Sequence, residues 1–124
     1  MAMGLPIVFR QALALSTTES GNLVIGTYDY IGAGKIRIFA KGSDANVRVN
    51  VFINGQMVLR NQQVFVGTAG TLDNSANLVA EIPTAGGRVE VTAVATTGTP
   101  TLDIQVTHET AFGGNALARL LGRR

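Results

Sequence analysis

The sequence predicts an all-β protein: an antiparallel β-sandwich of jelly-roll type, with an immunoglobulin-like sandwich as the alternative strand order. Three observations carry this. Between Ile7 and Thr107 apolar residues recur at every second position, the period of half-buried strands. The runs are short and are punctuated by Gly, Asn, Thr and Pro turn signals. No helical stretch between them is long enough for βαβ crossovers, so the strands pair antiparallel, and eight or nine of them are expected.

The strongest element is Val47, Val49, Val51 and Ile53 on one face, with Arg48, Asn50 and Phe52 on the other. It runs into Asn54-Gly55, the pair that best supplies the two positive φ angles of a type I′ hairpin. Gln56 to Arg60 is the return strand, with Met57 and Leu59 on one side and Val58 on the other. Further inward rows are Ile36, Ile38 and Ala40, then Leu78, Ala80 and Ile82, which end at Pro83 and Gly86-Gly87. Val89, Val91, Ala93 and Ala95 follow, closed by Gly98 and Pro100, and then Leu102, Ile104 and Val106. Asp103, Gln105 and Thr107 lie opposite that last row. Shorter patterns place strands at Ile7 to Leu15, Leu23 to Tyr28 and Val64 to Val66. The longest polar connection is Gly67 to Ala76.

A chain of 124 residues is expected to form one domain that buries roughly two thirds of its unfolded surface. The division expected is an N-terminal arm and first strand over residues 1–20, a β-sandwich over 21–110 and a basic amphipathic tail over 111–124. Hydrophobic residues make up 46% of the chain, enough for a core, whereas the charged fraction of 15% is low for a soluble monomer. Cysteine is absent, which removes disulfides and thiolate chemistry. The net charge of +2 is concentrated in the tail: without Arg119, Arg123 and Arg124, seven basic residues face eight acidic ones. Basicity is therefore not spread as a nucleic-acid-binding face. No segment approaches the ~20 apolar residues of a membrane helix, and Arg10 interrupts the N-terminal apolar run too early for a signal peptide.

No catalytic, cofactor or metal constellation is expected. The lone His108 lies near Asp103 and beside Glu109, but Asp103 and His108 differ by an odd number of positions and so point to opposite faces of a strand. Gly32-Ala33-Gly34-Lys35 is not a phosphate loop, because Asp29 stands where the first Gly belongs and Ile36 replaces Ser or Thr. Glu81 and Glu90 face each other only if Gly86-Gly87 closes a hairpin, and solvated strand faces explain them better. Lys35, Arg37, Lys41 and Arg48 form a local basic cluster suited to edge protection or protein contact. Tyr28, Asp29 and Tyr30 are a possible ligand patch, since rings flanking an acid can hold a sugar or a basic group.

Asn115 is an N-cap candidate for a short tail helix in which Leu117, Leu120 and Leu121 share a face. So short a helix forms only if that face is buried, on its own sandwich or on a neighbour. With Leu5, Ile7 and Phe9, the tail residues Leu117, Arg119, Leu120, Leu121, Arg123 and Arg124 are the expected interface.

Small size, the absence of Cys and Trp, and Thr/Ala/Gly/Val-rich strands such as Gly86 to Val94 give the chain a texture that resembles tailed-bacteriophage capsid decoration (cement) proteins. That resemblance implies a non-enzymatic virion protein, made in the host cytoplasm and placed on the capsid surface. It also implies a homo-oligomer, most often a trimer, that binds the major capsid protein and stabilises the shell. The alternative reading is a glycan- or receptor-binding module of a phage tail or fibre.

Overall fold

The computed structural model describes residues 5–26 and 30–110. They form nine strands: β1 (Leu5–Ala14), β2 (Tyr30–Ile31), β3 (Gly34–Gly42), β4 (Val47–Ile53), β5 (Gln56–Gln63), β6 (Phe65–Val66), β7 (Leu78–Thr84), β8 (Gly87–Ala95) and β9 (Thr101–Thr110). The expected tail helix and the interface residues from Leu117 to Arg124 lie outside the described residues, as do Tyr28 and Asp29.

Two sheets pack face to face. Sheet A has the order β1-β9-β3, with β7 and the short β6 sharing the far edge of β3, and sheet B has the order β2-β8-β4-β5. The pairings are nested: β1 with β9, β2 with β8, β3 with β7 and β4 with β5, all antiparallel. Such nesting is one long hairpin rolled up so that its successive strand pairs alternate between sheets, which is a jelly roll. Only β4 and β5 form a tight hairpin within one sheet. Its turn is Asn54-Gly55, at φ 53° and 80°, as a type I′ turn requires.

The core lies between the sheets and matches the alternating rows. Ile36, Ile38 and Ala40 of β3, Val47, Val49 and Val51 of β4, Val89, Val91 and Ala93 of β8, and Leu102, Ile104 and Val106 of β9 are all fully buried. Ile7 and Val8 join them from β1. Burying each of these valine, leucine and isoleucine side chains contributes about 1.5–3 kcal/mol. Because Ile7 is 0% exposed, it is core and not an interface residue as expected from sequence, while Leu5 and Phe9 of the same strand are exposed.

After β1 the chain runs along the free edge of β8. Ser20 N–H donates to the Ala93 carbonyl at 2.9 Å and Leu23 N–H to that of Val91 at 2.8 Å. In return the Ser20 hydroxyl accepts from Ala93 N–H and Asn22 Oδ1 from Val91 N–H. Ile25 N–H then reaches the Ile7 carbonyl in sheet A, so this segment closes one side of the sandwich. Short polar side chains thus stand in for backbone acceptors, and residues 23–26 form no regular strand where one was expected.

One further expectation is corrected, and two readings are refined. Leu78 is exposed, because a register shift between Ile38 and Phe39 pairs it with the outward-facing Phe39. Asn50 faces outward as expected but is only 2% exposed. Gly86-Gly87 does not close an in-sheet hairpin: it carries the chain from β7 in sheet A to β8 in sheet B. At φ 104° and 133° these positions require glycine, and a Cβ on Gly87 would lie 2.5 Å from the Asn54 side chain.

Candidate functional site

The outer face of sheet A carries most of the polar structure. Arg37 lies between two carboxylates, with Nε 2.7 Å from Glu81 and Nη1 2.8 Å from Glu109, and Lys35 Nζ is 3.6 Å from Glu81. The bond to Glu109, then that to Glu81, pushes the Arg37 guanidinium above its ordinary value. The bond from Arg37 draws the Glu81 carboxyl below its own. These groups are partly exposed, so the network adds little stability. It does neutralise Lys35 and Arg37 of the predicted basic cluster. Lys41 is bound to the carbonyl and hydroxyl of Thr71, and Arg48 lies on β4 in sheet B. The cluster therefore presents no shared face for phosphate.

Next to this network the connection from Gly67 to Asn77 folds over sheet A. Asn74 Nδ2 donates to Gln105 Oε1 at 2.8 Å, and Lys41 holds Thr71. Gln105 is the register partner of Phe39 and Lys41 is two residues along, so the loop crosses above Phe39 and buries a ring that faces away from the main core. Asp73 stiffens the loop by accepting from the Ser75 hydroxyl at 2.7 Å and the Ser75 N–H at 2.9 Å. Those bonds, the hydroxyl's first, lower its carboxyl below the ordinary range.

Asp103 is the centre of this face. Although polar and on the outer side of β9, it is only 3% exposed. One oxygen accepts from Ala12 N–H at 2.7 Å, at a bulge of β1, and the other accepts from Gly70 N–H in the loop. One carboxylate therefore ties both walls of a groove of about 120 Å³, lined by Phe9, Arg10, Gln11, Leu72, Asn74 and Gln105. Sequence reasoning missed Phe9 and Gln105 as partners of the loop, since the β1–β9 register that brings them together is non-local.

The other candidates are dispersed. His108 is buried at the end of β9 with Nε2 3.0 Å from the Gly32 carbonyl, on the face opposite Asp103. Glu81 and Glu90 lie on different sheets, so they form no acid–base pair. Tyr30 is 76% exposed on β2 of sheet B, and the Gly67–Ala76 loop covers sheet A, so the two do not make one patch. Among the described residues no three His, Asp or Glu side chains come together as metal ligands.

Sequence reasoning also missed a set of exposed apolar side chains. Met57 and Val58 on β5, Phe65 and Val66 on β6, and Leu78 on β7 are all exposed on strands at the edges of their sheets. From Asn54 to Ala80 the only charged residues are Arg60 and Asp73. No protein-family model matches this chain, and comparisons with curated proteins and with solved structures return no significant match.

Proposed function

We propose that this protein is a non-enzymatic structural component of a tailed-bacteriophage virion, a capsid decoration protein that works by burying apolar edges against copies of itself and the major capsid protein. The observation that carries the reading is the exposure of Met57, Val58, Phe65, Val66 and Leu78 on edge strands. Edge strands of soluble monomers are normally guarded by charge, and here the segment from Asn54 to Ala80 is nearly free of it. Exposed apolar side chains with few charges among them are the composition of an interface centre. The jelly roll supports the reading as an architecture common in viral capsid domains.

The test is sedimentation of the purified protein, alone and with shells assembled from the major capsid protein of the same genome. Oligomers that move with the shells are expected. A strict monomer left behind by the shells overturns the proposal.

A further inference from the structure

We propose that the groove between β1 and the 67–77 loop is a saccharide site that takes a single pyranose ring, with Phe9 as its stacking surface. This stands apart from the capsid reading, because it concerns a different face and needs no second copy.

Phe9 is the starting point. It is 59% exposed on the outer face of sheet A, although an aromatic ring of its size gains much from burial. Beside it stand three side-chain amides. Gln105 is its register partner, Asn74 is bonded to Gln105 at 2.8 Å, and Gln11 lies close enough to the loop that a Cβ on Gly70 would be 3.0 Å from its Nε2. A primary amide offers two donor hydrogens and an acceptor oxygen, so the shared Asn74–Gln105 bond leaves both residues with donors and acceptors to offer.

An exposed ring next to paired amides matches one ligand chemistry well. The C–H face of a sugar ring carries partial positive charge and packs on the negative face of an aromatic ring. Its hydroxyls each donate and accept, as amides do. A wholly apolar ligand would leave the amides desolvated and unpaired. The carboxylate of Asp103 has both oxygens committed to backbone N–H groups, so it supplies rigidity and not a cation site. By holding β1 and the loop together, it fixes the groove before any ligand arrives, which lowers the ordering cost of binding. A groove of about 120 Å³ is well below the ~300–1,000 Å³ of sites for larger ligands, so it suits one ring and not an extended chain.

The experiment is a saturation-transfer NMR titration of the full chain with the methyl glycosides of glucose, galactose, mannose and N-acetylglucosamine. Transfer to ring protons of at least one is expected, with a dissociation constant on the order of a millimolar, as befits so small a ligand. Phe9→Ala should weaken it at least tenfold and Asn74→Ala several-fold, whereas Tyr30→Ala on the opposite sheet should leave it unchanged. Phe9 is exposed, so its variant remains folded, and circular dichroism verifies this. No transfer to any of the four glycosides overturns the proposal, as does transfer that survives Phe9→Ala or is lost in Tyr30→Ala.

Discussion

The two outer faces of the sandwich solve the same problem with different chemistry. On each, an edge strand bulges at a non-glycine residue with positive φ: Ala12 at 54° in β1 and Asn61 at 48° in β5. On each, the bulge N–H is taken by a buried side chain of the adjacent strand, Asp103 at 2.7 Å and Asn50 at 2.6 Å. On sheet A the clamp is a carboxylate that also accepts from loop residue Gly70, so every bond it makes converges on one charge. On sheet B the clamp is an amide that accepts once and then donates, at 2.8 Å, to Glu19, whose carboxylate also accepts from Thr92. The charge there sits in the segment that runs along the edge of β8, outside the sheet. Sheet A thus anchors a loop and holds a groove open, while sheet B is tied through one side chain to the segment at its edge.

Removing the clamps should expose this difference. Asp103→Ala removes two hydrogen bonds to a buried carboxylate, from the Ala12 and Gly70 N–H groups, and should cost about 2–5 kcal/mol, read as a lower urea midpoint. Asn50→Ala removes one bond from a backbone N–H, that of Asn61, and should cost about 1–3 kcal/mol. Equal losses would mean that the loop adds nothing to the sheet A clamp. Hydrogen exchange should show the Asp103 variant opening at residues 67–77, with β5 still protected.

The core beneath both faces sets the scale. Val51 is fully buried and its neighbours are packed, so Val51→Ala should cost about 1–3 kcal/mol from lost contacts and a residual cavity. An unchanged urea midpoint would place Val51 outside the core.

The bulges themselves should respond differently. Alanine pays for a left-handed conformation that glycine adopts freely, so Ala12→Gly should stabilise the protein by about 0.5–1 kcal/mol. Asparagine already tolerates that region, so Asn61→Gly should change the urea midpoint little. A destabilised Ala12→Gly would indicate that the alanine methyl, and not the Asp103 bond, holds the bulge.

The smallest effect is electrostatic. Glu81 and Asp73, both on the sheet A side, have carboxyls held below their ordinary values of 4.5 and 3.8 in the folded state. A lowered folded value gives stability that is present above the ordinary value and lost as the pH falls through the folded one. Stability should therefore begin to decline below about pH 4.5, and Glu81→Gln should flatten the upper part of that decline in acid-titrated urea melts. An identical slope in the variant would assign the acid response to other groups.

Much of this was legible in the sequence where interactions are local. The valine row of β4, the Asn54-Gly55 turn and the inward rows of β3, β8 and β9 follow from period and turn chemistry alone. The bulges are not local. The Ala12 bulge is held by a carboxylate 91 positions away, and nothing around Ala12 announces it. The burial of Asn50 likewise depends on Glu19 and on the displaced Asn61 backbone. The Gly67–Ala76 connection stood out as long and polar, but its partner Phe9 emerges only from the β1–β9 pairing. For Glu81 and Glu90 the missing information was the assignment of strands to sheets, which two glycines between them do not encode.

The nested pairing has a consequence for how the chain is made. β1 has its full partner only in β9, the last described strand, so Ile7 and Val8 have no sheet to join until nearly the whole domain has left the ribosome. At ~5–20 residues per second, the stretch from Ala14 to Thr101 takes roughly 4–17 s to synthesise. Throughout that interval an apolar ten-residue strand waits with both edges open, and closing so large a loop is slow in any case. The domain should therefore be most prone to aggregate during its own synthesis, and a chaperone that shields β1 should raise its soluble yield more than any stabilising change to the finished fold.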